Sequence, residues 1–148
     1  MTTPAVLDHA AALRLLSDGE LEVVGRLVEA SNATLYCQIS TAEAAAACVY
    51  KPEAGERPLW DFPDGTLARR EVAAYLVSER TGWALVPPTV YRDGPYGPGM
   101  VQLWIDLHLE VDLVDLLNSD DPRLRRLAVF DAVINNADRK GGHLLPTP

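Results

Sequence analysis

Lysine is rare in this chain: of 13 basic residues only Lys51 and Lys140 are lysine, the other 11 being arginine. Such a bias usually follows genomic composition, yet it singles out each lysine, because a compact ammonium does what the planar guanidinium does not. Lys51 closes the strand-like run Ala46-Ala-Cys-Val-Tyr-Lys51, directly ahead of Pro52. Other polar groups recur in a definite order: Ser31, Asn32 and Thr34 at the tip of a hairpin-like stretch, Glu71 in a helix-like one, and Asp138 in the loop sequence Asn-Ala-Asp-Arg. Phosphoryl transfer calls for the same parts: donors over the phosphates, a lysine near them, an acid to hold that lysine, and a carboxylate for the substrate hydroxyl.

The chain must build a core to position such groups. With 148 residues, 48% hydrophobic and 23% charged, it fits one compact domain. Acidic residues number 21, and the net charge of -8 argues against a nucleic-acid partner or polybasic membrane docking. The first nine residues lack a basic region, so no secretion signal is expected, and no run of ~18 uncharged apolar residues suggests a bilayer span. A cytoplasmic protein without integral membrane association is the expectation. Cys37 and Cys48 have no second pair, which excludes a structural zinc site and argues against a disulfide scaffold. Buried free thiols are expected.

Periodicity supplies the elements. Residues 7 to 17 repeat apolar positions at helical spacing and stop before Gly19, predicting a leading helix over 1–19. Leu21, Val23, Gly25 and Leu27, then Leu35, Cys37 and Ile39, alternate with polar residues and predict a hairpin around Ala30 to Thr34; Ala46 to Lys51 adds a third strand, ended by Pro52. Residues 52–65 hold three prolines and two glycines and read as a long ordered loop. Thr66 to Arg80 reads as an amphipathic helix with Leu67, Val72, Ala73, Leu76 and Val77 inward, closed by Gly82. Strands follow from Pro88 to Tyr91 and Met100 to Ile105, joined through the Gly- and Pro-rich stretch Arg92 to Gly99. After Asp106 come a short helix from Val111 to Leu117 and a longer one from Arg123 to about Asn135, with Asp121-Pro122 supplying its N-cap and first position. The predicted fold class is α+β.

In this order the sequence resembles the phosphatidylinositol 3- and 4-kinase-like superfamily, and within it a largely actinobacterial branch. The stretches that carry the resemblance are Ala30-Ser-Asn-Ala-Thr34, Val49-Tyr-Lys-Pro52, Gly55-Glu-Arg-Pro-Leu-Trp-Asp-Phe-Pro63, Arg70-Glu-Val-Ala-Ala74 and Asn135-Asn-Ala-Asp-Arg-Lys-Gly-Gly-His143. It implies a protein-kinase-like N-lobe over 20–105, a sheet of about five antiparallel strands with one packed helix, and over 106–148 the hinge, first helices and catalytic loop of an incomplete C-lobe. It implies ATP and Mg2+ as cofactors. Lys51 matches the family's strand lysine, which would meet the nucleotide phosphates, and Glu71 the helix acid that would orient it. Ser31, Asn32 and Thr34 stand where a glycine-rich phosphate loop would; a left-handed Asn there could aim N–H groups at an anion. The strand Val101 to Ile105, with Gln102 and Trp104, would supply the adenine wall and hinge. Asp138 would accept the substrate hydroxyl proton.

Each residue also has a structural reading. Lys51 could be a solvated strand end, Glu71 an exposed helix residue, the Ser31-Asn32 tip a plain turn, Trp104 a core side chain and Asp138 an Asx-type turn aspartate. Asp131 and Asn136 share the five-residue spacing and form a competing acid and amide pair. Two departures from the family pattern matter. The magnesium-ligating asparagine expected five positions beyond Asp138 is replaced by His143, a poor ligand for a hard cation. Ten residues follow Asp138, none acidic, so the second metal-binding aspartate is missing and the chain reads as an N-terminal portion of a phosphotransferase. Truncation would bare Leu124, Leu127, Phe130, Val133 and Ile134, with Leu144 and Leu145, as an apolar patch. The expected partners are a nucleotide and a soluble small-molecule or protein acceptor. Two alternatives stay open: an inactive kinase-like module that binds nucleotide or protein, and an unrelated α+β domain whose acidic surface serves protein interaction.

Overall fold

The computed structural model of the chain describes residues 7–27, 33–56, 66–106 and 112–136. Helix α1 (His9–Asp18) opens on Asp8, whose carboxylate accepts from the Ala11 amide at 2.7 Å and so satisfies an otherwise unpaired helix donor. It is followed by β1 (Glu20–Arg26), β2 (Leu35–Ser40) and β3 (Ala45–Pro52), then a single 3-10 turn, Glu53–Gly55. Helix α2 (Leu67–Thr81), β4 (Thr89–Gly94), β5 (Gly97–Leu103), α3 (Leu113–Leu117) and α4 (Pro122–Val133) complete the order. The architecture is α+β: the five strands form one antiparallel sheet in the order β1-β2-β3-β5-β4.

Strand alternation assigns every side chain to a face. Leu15 and Leu16 of α1 pack with Cys37, Ile39, Cys48, Tyr50 and Val101, all buried, and Leu21, Val23, Leu35, Val90 and Leu103 border this cluster. The two cysteines, paired in register across β2 and β3, are free buried thiols. Arg92 of β4 locks α1 down by donating from Nη1 to Leu16 O at 2.9 Å and to Gly19 O at 2.7 Å, a cation placed on the carbonyl end of the helix. The intervening residues of each strand face the other way, toward α2, which lies over β4 and β5.

Several expectations are refined here. The hairpin between β4 and β5 is tighter than the Gly- and Pro-rich stretch suggests: Gly94 pairs with Gly97, so only Pro95 and Tyr96 turn. The buried Tyr50 hydroxyl explains it, donating to Gly97 O and accepting from Tyr96 N at 3.3 Å. The strand β5 stops at Leu103, short of Ile105.

The inward face of α2 differs more. Ala68, Tyr75 and Ser78 are buried, whereas Leu76 is 54% exposed and Ala73 is exposed. Polar side chains take the inner face because each finds a partner: Tyr75 Oη lies 2.8 Å from His9 Nε2, and Ser78 Oγ accepts from Leu85 N at 2.7 Å and Val86 N at 3.1 Å. Positions 68, 71, 75 and 78 share that face at helical spacing, which brings Glu71 to the sheet. Gly82 ends the helix at φ +71, a left-handed backbone that glycine adopts without strain. In α4, Asp121 caps the Arg123 amide at 2.9 Å with Pro122 at the first helical position. Phe130 is 1% exposed and does not join an apolar patch, although Val129 and Val133 stand open at 51% and 67%.

Candidate functional site

Lys51 is the last side chain of β3 on the α2 side of the sheet, and Met100 of β5 is its register partner. Glu71 lies in the second turn of α2. Their charged ends meet, with Lys51 Nζ donating to Glu71 Oε1 at 2.7 Å. The side chains are 32% and 40% exposed, so the pair is reachable from solvent and adds little to stability on its own. Its value lies in where it leaves the ammonium. Nζ has three donors, and among the described residues only Glu71 takes one, which leaves N–H groups for an anion. The other carboxylate oxygen, Glu71 Oε2, is enclosed and has no hydrogen-bond partner among the described residues.

The turn after Lys51 ties the surroundings together. Gly55 O accepts from Ala33 N at 3.2 Å, joining the base of the β1–β2 tip to the segment just beyond Lys51. A side chain at position 55 would collide with the Ala33 methyl, so only glycine allows this approach. Thr34 is 5% exposed and its carbonyl accepts from Leu27 N at 2.9 Å. Glu53 accepts from the Tyr91 hydroxyl at 2.7 Å and pairs with Arg69 Nε at 3.3 Å, while the Arg69 guanidinium sits 5.2 Å over the Tyr91 ring. Glu56 reaches the start of α2, accepting from Ala68 N at 2.7 Å and Leu67 N at 3.3 Å.

Beside Lys51 the sheet offers an aromatic surface. Register aligns Tyr36, Val49, Gln102 and Thr89 across β2, β3, β5 and β4 on the face that carries Lys51. Trp104 follows β5, its N–H donating to Ala47 O at 3.1 Å, and its ring meets Tyr36 edge to face at 5.0 Å with 37% of the residue exposed. Gln102 Nε2 donates to Thr89 Oγ1 at 3.0 Å, so that amide is engaged within the sheet. Tyr36, Val49 and Glu56 had no role assigned from sequence, although Val49 and Glu56 fall within the stretches that carry the resemblance. Strand alternation could have placed Tyr36 and Val49 beside Lys51; no local signal marks Glu56, whose partners are 11 and 12 residues away.

The competing pair is in contact. Asp131 is 9% exposed, Asn136 Nδ2 donates to its Oδ1 at 3.3 Å, and Asn136 N donates to its carbonyl at 2.8 Å. These bonds close the end of α4, where Asn135 takes φ +57. Ser31, Asn32, Asp138 and His143 lie outside the described residues. Among the described residues no group of three or more His, Cys, Asp or Glu could hold a metal ion.

The chain is 49% identical, over 166 aligned positions, to Protein Rv2133c of Mycobacterium tuberculosis (strain ATCC 25618 / H37Rv), the match covering 88% of this chain. It spans 60% of the length of that relative. No family model matches the sequence, and no solved structure matches the fold.

Proposed function

We propose that this chain carries the nucleotide-binding part of an ATP-dependent phosphotransferase of the phosphatidylinositol 3-/4-kinase-like type, which moves a phosphoryl group from ATP to a hydroxyl acceptor. The observation that carries this reading is the contact of Lys51 Nζ with Glu71 Oε1 at 2.7 Å, a strand cation held by a helix acid with donors to spare. A five-stranded antiparallel sheet with a helix inserted between its third and fourth strands supports a kinase-like N-lobe.

In this reading Lys51 meets the phosphates as a point charge. The half-exposed Tyr36, Val49 and Trp104 receive the base, with Gln102 behind them holding the register of β5. Asp138 takes the proton of the acceptor hydroxyl. Mg2+ would shield the phosphate charge; among the described residues no group of three or more candidate ligands could hold it, and His143, at the position where the family carries a ligand, is a poor one for a hard cation. The acceptor is a soluble small molecule or protein, since a net charge of -8 is repelled by an anionic bilayer. Among the described residues no helix is long and apolar enough to cross a membrane.

The test is Asp138→Asn in the whole protein. Nucleotide affinity should be nearly unchanged while phosphoryl transfer falls by roughly two or more orders of magnitude. Asp131→Asn should lower stability more than transfer, because Asp131 closes a helix end. The reverse ranking would move the base to Asp131, and ATP binding without transfer by the wild type would make the chain a binding module.

A further inference from the structure

We infer that Glu56 is a positioning residue for the Lys51–Glu71 pair: its carboxylate, carried on the turn that follows Lys51, holds the first amides of α2 and so sets where Glu71 stands. The functional consequence rests on the phosphotransferase reading; the positioning itself rests on geometry alone.

A helix begins with N–H groups that lack partners, and the N-cap side chain ordinarily meets one of them. In α2 the N-cap position is Thr66, whose side chain makes no capping bond and instead accepts from Arg70 Nε at 3.4 Å. Glu56 takes over, with Oε1 2.7 Å from Ala68 N and Oε2 3.3 Å from Leu67 N. A carboxylate at this end also suits the helix dipole. Two bonds from one planar group constrain both the axial position and the rotation of the helix.

The same turn fixes Lys51. Glu56 N donates to Glu53 O at 3.1 Å, Glu53 is held by Tyr91 and Arg69, and Gly55 is held by Ala33. From Lys51 the chain runs through Glu56, crosses to Ala68, follows α2 for one turn to Glu71, and returns over 2.7 Å to Lys51. This closed ring relates the cation to its acid independently of the rest of α2. Independence matters because the fully buried stake of α2 is small: Ala68, Tyr75 and Ser78. A helix held by so few side chains can slide or turn by a fraction of a residue, and such a shift would carry Glu71 away from Nζ. The side-chain hydrogen bonds of Glu56 among the described residues go to Leu67 N and Ala68 N rather than to Lys51 or Glu71, so it acts through the helix.

In this chain the lysines are Lys51 and Lys140, so 15N-lysine labelling gives few side-chain ammonium signals, and Lys51→Arg identifies the one that matters. A hydrogen-bonded ammonium exchanges slowly enough to be seen. The Lys51 signal should be present in the wild type, absent in Glu71→Ala, broadened away in Glu56→Ala and restored in Glu56→Gln, whose amide oxygen still accepts from Ala68 N. Well below the melting temperature, Glu56→Ala should weaken binding of a non-hydrolysable ATP analogue with Mg2+ by about tenfold, the scale of a lost cap. The double variant with Glu71→Ala should bind no more weakly than Glu71→Ala alone. A merely structural cap would lower the melting temperature, leave the Lys51 signal in place and combine additively with Glu71→Ala, and any of the last two results overturns the assignment. Should Glu56→Ala fail to fold, Glu56→Asp is read instead; it reaches at most one amide, and an unchanged signal there overturns the inference equally. Loss of the signal in a protein whose wild type binds no nucleotide would keep the positioning role and remove the phosphotransferase reading. Nucleotide binding and signal both unaffected by Glu56→Ala would do the opposite.

Discussion

Toward α1 the sheet presents Cys37, Ile39, Cys48, Tyr50 and Val101, none with measurable exposure, under Leu15 and Leu16. One residue along each strand, the opposite face buries Met100 and Thr89 but leaves Tyr36, Val49, Lys51 and Gln102, with Trp104 just beyond β5, partly open. The same strands therefore carry two kinds of surface at once. The first is closed by apolar area, which pays for the fold. The second holds a cation, an acid and two aromatic rings in fixed relation, a placement that only a rigid first face makes possible. The comparison teaches that the residues which stabilise this domain and those which would bind a ligand are separated by a two-residue period rather than by domain.

The sharpest way to break that contrast is to truncate one residue on each side. Leu16→Ala removes a fully buried side chain and should cost about 2–5 kcal/mol in urea unfolding. Val49→Ala should cost about 1 kcal/mol or less, because Val49 is only half-buried, yet should weaken nucleotide binding more than Leu16→Ala does. Equal unfolding losses would erase the distinction between the faces. A smaller effect is expected at Arg92, whose two bonds to Leu16 O and Gly19 O fasten α1 over the closed face. Arg92→Ala should cost about 1–3 kcal/mol and speed amide exchange in α1 while leaving α2 protected.

Alkaline pH sharpens the comparison further. Burial, with Cys37 as a secondary cause, pushes the Cys48 thiol up to about 12, and burial likewise raises Cys37 and Tyr50. These groups are held neutral in the fold, so their contribution is complete below the unfolded thiol value of 9.0 and is lost as pH climbs toward about 12. The urea midpoint should fall across that window, and fall less in Cys48→Ala; a midpoint indifferent to pH there would contradict the closed character of the α1 face. The smallest effect lies outside the sheet. Hydrogen bonds from the Arg123 side chain and amide hold the Asp121 carboxyl down to about 2 from 3.8. Capping of α4 should thus be complete above 3.8 and fade as pH falls toward about 2, a loss of helical signal that Asp121→Ala abolishes.

Much of this division was legible in the chain. Alternation in Leu21 to Leu27, Leu35 to Ile39 and Ala46 to Lys51 announced the strands, and Asp121-Pro122 announced α4. The inner face of α2 was not legible, since apolar weight favoured Leu76 while the structure rewards Tyr75 and Ser78 for hydrogen bonds made to His9, Leu85 and Val86. Lys51, Glu71 and their pairing were expected from the family resemblance, whereas periodicity within two segments 20 residues apart carries no sign of the contact. Glu56 stayed hidden for a related reason: a cap delivered from a distant turn leaves no local pattern of the kind that Asp8 and Asp121 show at their own helices.

We propose that the open face around Lys51 binds a nucleotide. Thermal unfolding of the whole protein with and without ATP tests it most directly, because a ligand bound to the native state at about 100 times its Kd stabilises by about 2.7 kcal/mol. A clear rise in Tm is expected for the wild type, with most of that rise lost in Lys51→Ala, both proteins being equally folded beforehand. An equal rise in the two proteins, or none in the wild type, would contradict it.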